Sequence, residues 1–241
     1  RPGDLWNFRR AITGQNVALM VTYNWGAIEW GLTRLSAPWI PHLDIEDGFN
    51  PEEVSARLPR RNSLRRLVYG LSTGMIVPSR KLEDIARTEW RLPARKLHYI
   101  PNGVPLARFS GGDRAAARAA LGLDETTLAI GTVAALRPEK NLRRMIDALH
   151  RMSADGAQLV IVGGGEEREG LEQHAAGLGL AGCVQFTGPM AEPEKVLAGL
   201  DIFALSSDTE QMPVSVLEAM AMELPLASVD VGDVSEMVSE A

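Results

Sequence analysis

The chain has 241 residues, of which 45% are hydrophobic and 23% charged, with a net charge of −6 and a single cysteine. That length can bury one large core or two smaller ones, and a lone Cys183 excludes an internal disulfide, fitting a reducing compartment and a buried strand position. No apolar run approaches the roughly 20 residues that span a bilayer, no His/Cys/Asp cluster has metal-ligand spacing, and no secretory leader is visible.

The net charge conceals an asymmetry: residues 1–103 carry 15 Lys/Arg and 10 Asp/Glu, residues 104–241 carry 10 and 21. The basic half can attract an anionic acceptor or a membrane surface, whereas the acidic half does not favour nucleic acid. The chain opens on Arg1 and ends on Glu240-Ala241 inside an unfinished pattern, which reads as a fragment of a longer protein. The expected location is cytoplasmic, with peripheral contact at the inner face of the cell membrane as its variant.

In chain order, Val17 to Tyr23 reads as a buried strand, followed by the loop Asn24-Trp25-Gly26 and a helix to about Leu35. Trp39 to Ile45 is a second strand, closed by Glu46-Asp47-Gly48-Phe49, and Pro51-Glu52-Glu53 starts a short helix. Arg57, Arg60, Arg61, Arg65 and Arg66 alternate with leucines; a helix with a solvated basic face is the first reading, a membrane or polyanion patch the second. Met75 to Val77 is a strand, Lys81 to Trp90 a helix and Leu97 to Ile100 a strand. Pro101-Asn102-Gly103-Val104-Pro105 is the most turn-prone stretch, and the domain boundary is placed there, giving domains 1–103 and 104–241.

Beyond it, the predicted helices are 113–121, 142–152, 166–178 and 192–200, and the strands 128–134, 158–162, 184–186 and 202–205. Strands alternating with helices imply parallel sheets covered on both faces. The predicted fold is therefore α/β, with two doubly wound, Rossmann-like domains facing one another across a cleft, both incomplete.

In such sheets ligands bind beyond the carboxyl ends of the strands. The loop from Ala134 to Asn141 places Arg137 and Lys140 at a helix N-terminus, where cations oppose the helix dipole unless an anion is held between them. Gly163-Gly164-Gly165 resembles a phosphate-approach turn, but it is not G-x-G-x-x-G, and acidic residues follow it. A tight strand-to-helix turn explains it equally well. Gly188-Pro189-Met190 offers backbone groups, as a base-binding wall would.

The stretch from Asp201 to Ala227 runs from a strand through a polar loop into a helix with Pro213 at its first position. Glu210 lies in the loop. Glu218 falls among Val214, Leu217, Ala221 and Met222 on a helix apolar nearly all round, so it is expected to be buried and to need a partner such as a ligand hydroxyl. An acidic pair beside a basic pair suits a sugar nucleotide, with cations for the diphosphate and carboxylates for hydroxyls.

These residues resemble the family-4 glycosyltransferases, retaining enzymes of the GT-B fold that use nucleotide-sugar donors. Glu210 and Glu218, with seven residues between them, look like the family's E-x7-E signature. GTVAALRPEKNL at 131–142, IVGGGEEREGLE at 161–172, VQFTGPM at 184–190 and YIPNGV at 99–104 match in the same order. The resemblance implies that Glu210 contacts the donor sugar, that Glu218 holds the ribose, and that Lys140 with a nearby Arg stabilises the departing diphosphate. It implies backbone contacts at Met212, Pro213 and Val214, a base pocket at Gly188, Pro189 and Met190, and a hinge at Asn102-Gly103.

Three positions depart from the pattern: Ala135 stands where the family has a basic residue, so Arg137 must substitute; Gln211 replaces a glycine; and Asp47 in IEDGF replaces a histidine. The substrate-binding set is Glu218, Met212, Pro213, Val214, Gly165, Gly188, Pro189, Met190, Asn24 and Asp47; the catalytic set is Glu210, Lys140 and Arg137.

The expected activity is retaining, metal-independent transfer of a hexose-type sugar from a nucleotide-diphosphate sugar to a glycan or lipid-linked acceptor, in polysaccharide, glycolipid or cell-envelope glycan synthesis. No cofactor and no nucleic acid partner is expected. One rival is a non-catalytic sugar-nucleotide-binding protein, for which Ala135 and Asp47 argue. A dinucleotide-dependent oxidoreductase shares the sheet and the Gly-rich turn but requires the absent G-x-G-x-x-G fingerprint.

Overall fold

A computed structural model describes residues 2–49, 53, 57–152 and 156–239. The chain forms two compact units, one of residues 1–102 with 210–212, the other of residues 103–209 with 213–241.

The first unit contains helix α1 (Pro2–Thr13), strand β1 (Met20–Tyr23), helix α2 (Ile28–Gly31), β2 (His42–Ile45), α3 (Pro59–Leu71), β3 (Gly74–Val77), α4 (Arg80–Thr88) and β4 (Leu97–Tyr99). Its strands are all parallel in the order β1-β2-β3-β4, with Tyr23 opposite Ile45 and Ile45 opposite Ile76. The core lies where Val68 and Tyr69 of α3 and Leu82, Ile85 and Ala86 of α4 meet Met75 and Val77, with Trp90 and Leu92 beside them. Ser79 starts α4 by accepting the Leu82 N–H at 3.0 Å, a cap contributing about 1 kcal/mol. Ser79 also donates to Gln211 at 3.2 Å, and the Asn102 side chain donates to the Met212 carbonyl at 2.9 Å, which joins residues 210–212 to this unit.

Several expectations need correction here. The first strand is short and lies at the sheet edge, with Val21 and Tyr23 more than half exposed rather than buried. The helix expected to reach Leu35 is one α-helical turn, α2, between two 3-10 turns, Trp25–Ala27 and Leu32–Leu35. Helix α1 had no counterpart in the sequence reading. The helix expected to start at Pro51-Glu52 lies outside the described residues.

The basic stretch is only in part a solvated face: Arg60 and Arg66 are exposed, the others are not. Arg65 is fully buried and bonds Glu53 through both terminal nitrogens at 2.8 and 2.9 Å. Arg61 reaches Glu53 at 3.2 Å, Arg57 pairs with Glu89, and Arg66 donates to the Glu89 carbonyl at 2.7 Å.

The second unit contains α5 (Leu106–Phe109), α6 (Arg114–Leu121), β5 (Leu128–Val133), α7 (Leu142–Met152), β6 (Ala157–Val162), α8 (Arg168–Gly177), β7 (Val184–Gly188), α9 (Glu194–Leu197), β8 (Ile202–Leu205), α10 (Val214–Ala221), β9 (Leu226–Ser228) and α11 (Val234–Ser239). Its five parallel strands run in the order β7-β6-β5-β8-β9. Asp113 caps α6 by accepting the Ala116 N–H at 2.9 Å, and Gly122 ends it in the left-handed conformation. Leu142, Met145, Ile146 and Leu149 of α7 pack on Leu159 and Ile161 of β6, each buried side chain contributing about 1.5–3 kcal/mol. Cys183 is half-buried and lies just before β7, not in it. Among the described residues no helix is long and apolar enough to cross a membrane.

Candidate functional site

In the second unit, β5 is flanked by β6 on one side and β8 on the other, so successive crossovers leave in opposite directions and the loops after β5 and β8 open a crevice at the strands' carboxyl ends. Those two loops are braced to one another. The Asp208 N–H donates to the Glu139 carbonyl at 2.8 Å, and Ser206 Oγ to the Lys140 carbonyl at 3.0 Å. The Asn141 amide donates to Asp208 at 3.0 Å, while Arg144 donates to the Ser206 carbonyl at 2.9 Å and to Asp208 at 2.6 Å.

Arg137 is exposed in extended backbone before the 3-10 turn Pro138–Lys140, and Asn141, with φ 42° and ψ 48°, redirects the chain into α7. Asparagine tolerates that left-handed conformation better than most residues. No acid occupies the first turn of α7, which carries Arg143 and Arg144. Arg137 and Lys140 precede this positive helix end, while Arg143 and Arg144 in its first turn bond His174 and Asp208, and the helix end itself favours an anion.

The glycine run has a packing cause. Gly163, at φ 148°, donates to the Gly188 carbonyl at 3.0 Å, and a Cβ on it would overlap the Ala134 carbonyl oxygen. A Cβ on Gly165 would overlap the Leu136 carbonyl in the same way. The Leu136 N–H in turn donates to the Gly164 carbonyl at 3.0 Å. Close approach to the 134–136 backbone thus explains the glycines, and it places Gly165 against the loop that carries Arg137. Gly188 is buried at the end of β7, while Pro189 and Met190 are exposed.

Helix α10 begins at Val214, with Pro213 as its N-cap in extended conformation rather than its first helical residue. The Val216 N–H turns back to the Pro213 carbonyl at 3.1 Å, and the first-turn N–H groups of Val214 and Ser215 have no acceptor inside the helix. The helix is mostly apolar in residue type but not buried all round, since Val214 is 44% exposed. Glu218 is half-buried rather than buried. Desolvation raises its pKa, opposed by Arg108 and reinforced by Glu194. Arg108 itself bonds Glu194 at 2.7 Å and the Ala191 carbonyl at 2.6 Å, so its charge is already shared.

The first unit gathers a separate set. At the carboxyl ends of β1 and β2, Asp47 accepts from the Tyr23 hydroxyl and from the Asn24 amide, and its N–H donates to Asn24 Oδ1 at 2.9 Å. Asn24 has φ 57° and ψ −178°, a conformation rare for any residue but glycine. The hydrogen bond to Asp47, followed by burial and the Asp47 charge, pushes the Tyr23 hydroxyl up to about 12.

Of the residues expected to act together, Arg137, Lys140 and Gly165 lie on adjoining loops of the second unit, and Pro213, Val214 and Glu218 on its helix α10. Asn24 and Asp47 lie in the first unit, where Glu210 and Met212 also belong. Sequence reasoning missed Arg144, Asp208, Tyr23, Glu46 and Arg108. The signal for the first pair was the run Asn141-Leu142-Arg143-Arg144, a helix start with arginines and no acid in its first turn. Among the described residues no cluster of His, Cys, Asp and Glu could hold a metal ion.

Residues 113–241 match the family described as glycosyl transferases group 1, and residues 1–108 match glycosyltransferase family 4. The chain is 31% identical over 154 residues to a D-inositol 3-phosphate glycosyltransferase of Segniliparus rotundus, covering 61% of this chain and 34% of that protein. It is 35% identical over 193 residues to a GDP-mannose-dependent alpha-(1-6)-phosphatidylinositol monomannoside mannosyltransferase of Mycobacterium tuberculosis, covering 74% and 49%. The chain thus spans about a third to a half of the length of these curated relatives. Among solved structures, Anabaena HepE in complex with UDP and glucose superposes with a TM-score of 0.79 at 20% identity, over 97% of this chain and 64% of that one. Two parallel α/β sheets of this fold, a match to the group 1 family over more than half of the chain and one to family 4 over the remainder identify the chain as a member of the family-4, GT-B glycosyltransferases.

Proposed function

We propose that the whole protein is a retaining glycosyltransferase that moves a hexose-type sugar from a nucleotide-diphosphate sugar to a glycan or lipid-linked acceptor, in the synthesis of a polysaccharide, glycolipid or cell-envelope glycan. The observation that carries this reading is the pair of braced loops at the β5/β8 switch point, which bring Arg137 and Lys140 to the N-terminus of α7. A diphosphate is the ligand that suits a positive helix end lined by cations. Its binding there would stabilise the leaving group as the glycosidic bond breaks. HepE binds UDP and glucose, and the mannosyltransferase relative is GDP-mannose-dependent; both support the donor class.

In this reading Glu218 accepts the ribose hydroxyls, Gly165 and the first-turn N–H groups after Pro213 approach the diphosphate, and Gly188, Pro189 and Met190 line the base. Glu210 and the Met212 backbone contact the donor sugar. Asp47, fixed by Asn24, accepts a hydrogen bond from the acceptor. Charge on the leaving diphosphate is met by side chains, so donor turnover should persist in a chelator. The location proposed is cytoplasmic, including contact with the inner membrane face.

Screening the full-length protein against a panel of nucleotide sugars for donor hydrolysis, with and without chelator, tests this reading. An intact donor throughout the panel favours the non-catalytic sugar-nucleotide-binding alternative, for which Ala135 and Asp47 argue.

A further inference from the structure

Strand β2 and helix α3 enclose ionisable groups that the proposed reaction does not use. His42, Asp44 and Glu46 alternate along one strand and its end, so their side chains share a face, and all three are buried. The groups that face Glu46 come from four places, the first being β1, whose Tyr23 hydroxyl feels the Glu46 charge. From α3, Tyr69 donates its hydroxyl to Glu46 Oε2, and Arg65 Nε lies 3.9 Å from the same oxygen. From β2 and its end come the carboxylates of Asp44 and Asp47, both of which disfavour a charge on Glu46. From residue 53 comes Glu53, which takes both terminal nitrogens of Arg65.

An ionised Glu46 therefore shares one guanidinium with Glu53 while two further acids repel it. Among the described residues its second oxygen, Oε1, has no hydrogen-bond partner, and neither do Asp44 Oδ2, His42 Nδ1 and Arg65 Nε. Burial, partly offset by Tyr69 and Arg65, pushes the Glu46 carboxyl up to about 7. Burial and Glu46 keep the Tyr69 hydroxyl protonated well beyond that range.

Position supplies the second half of the argument. The Glu46 N–H donates to the Ile76 carbonyl of β3 at 3.1 Å, the last rung between β2 and β3, and the next residue is Asp47. Whatever moves Glu46 moves the strand end from which Asp47 meets Asn24 and Tyr23.

We propose that Glu46 is a positioning residue for Asp47: as the neutral acid it keeps the end of β2 docked beneath α3, and on losing its proton it is repelled by Asp44 and Asp47 and loosens that end. The proposal rests on the reading of Asp47 as an acceptor-binding residue. Its consequence is that acceptor binding weakens as pH rises through neutrality, whereas acceptor-independent donor hydrolysis does not follow the same curve.

The test uses the full-length protein. The rings of Trp25 and Trp90 lie 5.0 and 5.7 Å from the Arg65 guanidinium, so tryptophan fluorescence between about pH 5.5 and 8.5, without substrate, reports on the cluster. The wild type should show a transition near neutrality that Glu46→Gln lacks. Its acceptor KM should rise at least threefold over the same range and stay flat in Glu46→Gln. Tyr69→Phe removes a hydrogen bond that favours the charged form, so it should move the transition to higher pH and serves if the first variant folds poorly. A transition that persists unchanged in Glu46→Gln, a midpoint that Tyr69→Phe leaves alone, or a wild-type acceptor KM independent of pH overturns the proposal. An acceptor KM unaltered by Asp47→Ala overturns instead the acceptor reading of Asp47, which the fluorescence titration does not depend on.

Discussion

Asn24 and Asp47 hold one another across the ends of neighbouring strands: the Asn24 amide donates to the Asp47 carboxylate, and the Asp47 N–H donates back to Asn24 Oδ1 at 2.9 Å. Asn24 sits at φ 57°, ψ −178° to do so, a conformation that costs on the order of 1–3 kcal/mol and persists only where its surroundings enforce it. Strain retained at a strand end is the reason to test Asn24 and Asp47 as residues that hold the acceptor. Asn24→Ala and Asp47→Ala should therefore each lower kcat/KM for the acceptor at least about tenfold, or ~1.4 kcal/mol. Donor hydrolysis without acceptor should change by less than about twofold. Initial rates over a range of acceptor concentrations separate the two, and equal losses in both reactions would remove Asp47 from the acceptor site.

Lys140 stands on a loop that Asp208, Ser206 and Arg144 brace. In the proposed reaction Lys140 meets charge on the departing diphosphate, so Lys140→Ala should lower turnover at least about tenfold. Glu210→Ala should have an effect of at least similar size. Single-turnover rates with saturating donor measure both, and near-normal rates in both variants would discard the proposed mechanism.

The alternation of strand and helix was legible because buried parallel strands read as short apolar runs. Ile202–Leu205 and Leu142–Met152 appear with the bounds expected from sequence. Burial was less legible wherever it depends on a partner far along the chain. Val21 and Tyr23 belong to an apolar run, yet β1 is a sheet edge with one face exposed, and the residues of the run itself do not encode what pairs beside them. The arginines from 57 to 66 look like a solvated face until Glu53 and Glu89 fold against them. Glu218 appeared enclosed by its own helix, but its surroundings are set by Arg108 and Glu194 from two other helices. Local pattern carries the elements; charge environment comes from tertiary contacts.

Gly163 and Gly170 allow a comparison within one motif. A methyl group on Gly163 would meet the Ala134 carbonyl at φ 148°, whereas one on Gly170 in α8 meets nothing within 4 Å. Gly163→Ala should destabilise by about 1–3 kcal/mol, and Gly170→Ala should stabilise by roughly 0.5–1 kcal/mol. For a chain of this size each kcal/mol moves the melting temperature about 2–4 °C. Thermal unfolding of both variants checks the signs; a stabilised Gly163→Ala would mean the 134–136 loop is not where the glycines place it.

Glu218 is half-buried, with desolvation raising its pKa and only the already paired Arg108 nearby to favour its charge. A carboxylate so placed gains from a ligand hydroxyl that donates to it. Glu218→Ala should weaken binding of the free nucleoside diphosphate by about ten- to 150-fold, in line with the ~1.5–3 kcal/mol of a charged hydrogen bond. Calorimetric titration measures this directly, and the same variant titrated with inorganic diphosphate, which has no ribose, should bind as the wild type does. Equal losses for both ligands would assign Glu218 to the phosphates and not to the ribose.

Glu46 makes stability fall with pH in an interval where carboxylates more often make it rise. Its carboxyl is raised from 4.5 to about 7 by burial, so between those values the folded chain binds more protons than the unfolded one and loses stability as pH increases. The contribution is fully present below about pH 4.5 and is gone once pH has passed about 7. Glu53 and Asp201 are shifted the opposite way, their carboxyls held down by Arg65 and by the Ala129 N–H with Arg114, respectively; their contributions are lost only as pH falls. Glu46→Gln imitates the neutral acid, so its stability relative to the wild type should rise between pH 5 and pH 8, by about 2–3 kcal/mol at about 1.4 kcal/mol per pH unit. Urea unfolding of both proteins at the two pH values provides the check, because the difference between them cancels the groups they share. A gap that is the same at both pH values would show that Glu46 ionises as an ordinary carboxyl, and the proton-linked role of the β2 end would fall with it.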